Sequence, residues 1–189
     1  QAHASNGLIG LFVEQTINGT SVITAIDKAY PSGSWGDPNT DVGIAKIGPD
    51  LWAFVVKQGY SSGGATEGSQ SIIPVDIRNI AQSNTLPRID MPEALYFCPL
   101  GVVDEQKCTD LTFSIRFDDR DVHGGRYTLI MTAMGRIARK KISETYRFRW
   151  DDLVQLYGPI HYPLPDDFDH SRFMAEAKRL QSTAANKTK

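Results

Sequence analysis

Residues 136–149 hold six basic side chains, Arg136, Arg139, Lys140, Lys141, Arg147 and Arg149, against one acid, Glu144. On a strand, Arg139, Lys141, Arg147 and Arg149 project from one face, while Ile142, Tyr146, Phe148 and Trp150 share the other. Such a row can engage carboxylates or phosphates, its arginines bidentately. It can equally be a solvated outer face that discourages sheet-to-sheet association. The basic face carries no aromatic side chain on which a base could stack, so nucleic acid is not expected as a partner. Just upstream, Asp118, Asp119, Asp121 and His123 fall within six residues. A loop would let the carboxylate oxygens and the imidazole converge on a divalent cation. However, the spacing lacks the glycine and terminal glutamate of a calcium loop, and Arg120 in its midst would repel a metal. A solvated hairpin tip is expected there, with no metal site. Trp35 stands in PSGSWGDPNT, where an aromatic can serve as a recognition anchor or fold back onto the core edge.

One short motif points to nucleophilic catalysis. Gly59-Tyr60-Ser61-Ser62-Gly63 follows an apolar run and resembles the nucleophile elbow of the α/β-hydrolases. The resemblance implies Ser61 as nucleophile, an acid from residues 118–121 and His161 or His170 as base, in the order serine, acid, histidine. His123-Gly124-Gly125 likewise resembles an esterase oxyanion segment, but it follows the serine instead of preceding it. The elbow must open a helix, and ATEGSQSIIP supplies Gly68, several Ser/Thr residues and Pro74 instead. The leading expectation therefore assigns no catalytic residue and no cofactor; a serine hydrolase using Ser61 is the alternative.

Stepping along the chain, residues 8–17 read as a strand that turns at Asn18-Gly19, a pair able to take positive φ. Val22, Ile23, Ile26 and Tyr30 then fit one face of a short helix. Residues 42–47 and 51–57 read as a hairpin, 59–71 as a Gly/Ser-rich loop, and 75–81 as a helix after Pro74. Leu111, Phe113, Ile115 and Phe117 alternate with polar residues as a half-buried strand does. A loop over 118–125, a strand over 127–133 and another over 139–150 follow. Asp151 or Asp152 caps a short helix through 157. A Pro-rich connector then leads to an amphipathic helix over about residues 169–180. The expected fold class is α+β: an antiparallel sheet of about six strands flanked by short helices. Residues 1–6 are read as a signal-cleavage remnant, 7–181 as one domain and 182–189 as a disordered tail.

The composition, 41% apolar and 22% charged with net charge −2, is that of an ordinary globular domain with no global basic bias. Ala2-His3-Ala4 has the small-x-small pattern that signal peptidase accepts. The chain's two cysteines, Cys98 and Cys108, flank a segment able to turn back through Pro99 and Gly101, and are expected to form a disulfide. Together these suggest a periplasmic or secreted protein, without a transmembrane segment and with a lipid anchor and the oligomeric state left open. The expected function is protein binding, as by an inhibitor or immunity protein. Its contact surface would use Trp35, the loops over 31–40 and 59–71, or the basic row. A structural subunit of an envelope or secretion assembly is a third reading.

Overall fold

A computed structural model describes residues 6–33, 36–62, 65–98, 108–137, 139–153 and 156–161. Ten strands run in chain order: β1 (Gly7–Ile17), β2 (Thr20–Ser32), β3 (Val42–Lys46), β4 (Leu51–Ser62), β5 (Ala65–Asp76), β6 (Ile89–Phe97), β7 (Thr109–His123), β8 (Arg126–Ile137), β9 (Lys140–Asp151) and β10 (Leu156–His161). Of the described residues 76% are strand and 4% helix, so the expected α+β class is wrong: the fold is nearly all β. Its one helical segment among these residues is the short 3-10 turn Ile80–Thr85. The expected C-terminal helix and the 182–189 tail lie outside the described residues.

Each misread element has a physical reason. Val22, Ile26 and Tyr30 are four apart, a spacing that fits a helical period and equally keeps them on one face of a strand. The Asn18-Gly19 turn (φ 51° and 79°) decides between the two by folding β2 back along β1, with Ile17 opposite Thr20 and Phe12 opposite Ala25. The β-branched Thr20, Val22, Ile23, Thr24 and Ile26 then suit the pleat. Residues 59–62 and 65–71 are not a loop. They are the facing ends of β4 and β5, whose register runs from Leu51–Asp76 to Ser62–Ala65. Small side chains in β5 allow close approach instead of conferring flexibility: a Cβ on Gly68 would lie 3.1 Å from the Ala94 nitrogen of β6. Pro74 does not start a helix; it sits in β5 beyond the last pair with β6, Ile72–Ile89. The expected helix near 151–157 is replaced by the β9–β10 turn and β10, in which Leu156 pairs with Asp151.

Strands β3 to β10 form one antiparallel meander in strict chain order, and β1–β2 form a separate ribbon. The meander bends back on itself, since Ile47, Ala53, Ile72 and Ile89 from its first half share a core with Leu111, Leu129, Met131, Tyr146 and Phe148 from its second. At one end the fold-back is fastened where the Tyr127 amide donates to the Ile47 carbonyl at 2.8 Å. At the corner between the halves, β6 and β7 pair only over Ala94–Phe97 against Thr109–Thr112. The Cys98–Cys108 disulfide forms as expected and closes that corner, with Cys108 fully buried.

The ribbon packs its base on the outer side of β4 and β5, where Leu11, Ile26 and Tyr30 meet Val56, Ile73, Val75 and Ile80 in a second core. The Arg88 guanidinium stands 5.2 Å from the Tyr30 ring, and the Gln58 amide donates to the Pro31 carbonyl at 3.0 Å. Beyond that base the ribbon leaves the core behind. Residues 16–23 are exposed at every position, on both faces.

Candidate functional site

The sequence separates the acidic run at 118–123 from the basic row of β9, and the fold joins them. In a regular strand Asp118 and Asp121, three apart, would point to opposite faces. The β7–β8 register shifts between Asp118 and Val122, and this bulge turns both carboxylates toward the same cations. Arg147 places Nη2 3.2 Å from Asp118 Oδ2 and 3.3 Å from Asp121 Oδ2, and Arg149 Nη2 lies 3.4 Å from Asp121 Oδ2. Thr128 donates its hydroxyl to Asp121 Oδ2 at 2.8 Å, and His123 Nε2 sits 2.8 Å from Asp121 Oδ1. The Thr128 hydroxyl, with His123 and the arginines, holds the Asp121 carboxyl down at about 2; the Arg147 hydrogen bond lowers Asp118 as well.

This cluster contains an imidazole oriented by a carboxylate, the arrangement of a base and its positioning acid. Its neighbouring hydroxyl, Thr128, is turned to the carboxylate and not to the ring, so no nucleophile is primed. What the geometry does accomplish is to clamp β7, β8 and β9 together through opposite charges. Arg147 and Arg149 are therefore occupied within the chain and are not a bare row for a partner. Arg139 and Lys141 are exposed near the β8–β9 turn, away from this cluster. Among the described residues no three His, Cys, Asp or Glu side chains converge as a metal site would require.

Ser61 lies within regular β4, exposed, with its hydroxyl 2.9 Å from the Thr66 hydroxyl across the β4–β5 pair. The elbow requires a strand-to-helix turn, and here the chain continues into a strand hairpin. His161 belongs to β10, opposite Arg147, on a strand six places from β4 in the sheet order. His170 and Trp35 fall outside the described residues.

Two features escaped the sequence reading. The first is Arg126, 4% exposed, whose guanidinium lies 3.8 Å above the Trp150 ring. Trp150 donates Nε1 to Asp152 at 2.9 Å and meets Tyr157 edge-on at 5.4 Å; Tyr157 in turn donates its hydroxyl to the Tyr127 carbonyl. Burial pushes the Tyr157 phenol up to about 12 and lowers Arg126. This stack plugs the end of the core beside the Tyr127–Ile47 bond. The second is the ribbon. Its outward face carries Leu8 (62% exposed), Phe12 (51%) and Ile23 (68%), and near its tip the opposite face shows Ile17 (50%) and Val22 (40%). The helix expected for 20–30 hid that arm; reading the Asn-Gly turn together with the β-branched run would have found it.

No protein-family model, curated protein or solved structure matches this chain. Among the described residues no helix is long and apolar enough to cross a membrane.

Proposed function

We propose that this protein is an exported protein-binding module whose contact element is the β1–β2 arm. The observation that carries the reading is the exposure of large aliphatic and aromatic side chains on both faces of the ribbon's outer half. A two-stranded ribbon standing alone is marginal in water, because neither face gains from burial. Apolar patches of this kind mark interaction surfaces, and burying one Leu, Ile or Phe contributes about 1.5–3 kcal/mol. The base of the ribbon is anchored by Leu11, Ile26 and Tyr30, so the arm is presented from a fixed platform. That limits the ordering cost of association. The disulfide is compatible with an oxidising compartment, periplasmic or extracellular.

The test is site-specific photocrosslinking in extracts of the native source, with a benzophenone side chain at Ile23 and, as control, at Thr145 on the outer face of β9. A discrete adduct from Ile23 alone, lost when Phe12 is changed to Glu, is the expected result. Equal adducts from both positions, or none from Ile23, would contradict the assignment.

A further inference from the structure

The bent meander does not close along its whole length. Among the described residues strand β3 is an edge of the eight-stranded sheet, and β7 leaves β6 after Thr112. Where β3 faces Ile115–Phe117 there is a cleft of about 380 Å³. Its wall is apolar: Ala45, Val55, Ile115 and Phe117, of which all but Val55 pack against the main core. Gln70, 5% exposed, is the one buried polar side chain on the wall, and its amide is fixed by donation to the Pro92 carbonyl at 3.3 Å. Lys46 and Arg116 also line the cleft, both exposed and so at its mouth. Neither has an ion-pair partner among the described residues, and no carboxylate lines the cleft. The nearest acid along β7, Asp118, is already engaged by Arg147 and Arg120.

From this arrangement we infer that the cleft binds a small amphipathic carboxylate, a medium-chain fatty acid or its like. The carboxylate would sit between Lys46 and Arg116, and the hydrocarbon would run inward over Val55, Ile115 and Phe117. Concave apolar walls with a few convergent polar groups are the usual make-up of a small-molecule site. An arginine and a lysine without an acid partner among the described residues supply the charge that such a ligand balances. Decanoate, a single carboxylate on a straight hydrocarbon chain, is the simplest ligand of this chemistry. The inference is independent of the ribbon, which lies on the other side of β3 and β4.

Decanoate is the probe, titrated by calorimetry into the full chain, with decanol as the uncharged control and Lys46→Gln/Arg116→Gln as the variant. Both replaced side chains are exposed, so circular dichroism should show the variant folded. One-to-one decanoate binding, at least about tenfold weaker in the double variant and for decanol, is expected. Amide shifts in the NMR spectrum should centre on Gly43–Lys46 and Ile115–Phe117. No decanoate binding up to about 1 mM would overturn the inference. So would binding that the double variant leaves unchanged, or shifts confined to the ribbon.

Discussion

Replacing both Cys98 and Cys108 by alanine isolates the shortest strand pairing of the sheet among the described residues. Among the described residues the two halves of the meander pair as strands only through Ala94–Phe97 and Thr109–Thr112, and the disulfide lies immediately beyond that short ladder. Its partners are 10 residues apart, and closing a loop of that length in the unfolded chain is worth about 2.5–3 kcal/mol in the chain-entropy account. Cys108 is fully buried, and trimming its sulfur adds roughly 1 kcal/mol of lost packing. Urea unfolding at neutral pH, followed by circular dichroism, should therefore show a loss of about 3–4 kcal/mol. For a chain of this size that corresponds to a fall of roughly 6–15 °C in melting temperature. Hydrogen exchange should locate the effect: amides of Leu95 and Leu111 lose protection, whereas those of Leu129 and Tyr146 follow only the global change. A loss below about 1 kcal/mol would refute the reasoning, because the junction would then be held by packing alone.

Further outcomes follow from the polar cluster and from one glycine. The Asp121 and Asp118 carboxyls are held below their ordinary range, so their contribution to stability is present above the unfolded value of about 4 and disappears as pH falls toward about 2. Asp121→Asn should lower stability at neutral pH and flatten the wild type's decline in urea midpoint between about pH 4 and 2; an unchanged decline would show the clamp to be without weight. Gly135 has φ 136° and a Cβ there would lie 2.0 Å from the Asp110 carbonyl oxygen. Gly135→Ala should cost at least about 1–3 kcal/mol and loosen the β7–β8 pairing, read by urea unfolding and by exchange at Leu111; a variant as stable as the wild type would contradict this geometry.

How much of this was legible in the sequence depended on whether a pattern had one meaning. The alternation of Leu111, Phe113, Ile115 and Phe117, and of Ile142, Tyr146, Phe148 and Trp150, admits only a strand, and both strands form there, though β7 runs on to His123 through the expected loop over 118–125. The Asn18-Gly19 turn was equally plain. Val22, Ile26 and Tyr30 were ambiguous because a four-residue spacing serves both periods, and the helix reading concealed the arm on which the functional proposal now rests. Residues 59–71 failed for another reason: composition reports side-chain size, whereas β5 is held by neighbours on both sides and needs no bulk of its own. Of the basic row, Lys141, Arg147 and Arg149 share one face of β9, and Arg139 lies in the turn before it. Its partners could not be read, because the bulge that brings Asp118 and Asp121 onto that face is a property of the β7–β8 register and leaves no local signature. Lys46 and Arg116 are 70 residues apart, and only the fold-back of the meander sets them at one cleft.

The claim that the β1–β2 arm is the contact element is tested most directly by hydrogen exchange on the chain free and in complex with the protein crosslinked through Ile23. Amides of Ile17–Ile23, in an arm with neither face covered, should exchange quickly in the free chain and be strongly protected in the complex, while those of β7–β9 stay as they are. Unchanged exchange at Ile17–Ile23, with protection arising elsewhere on the sheet, would contradict the account.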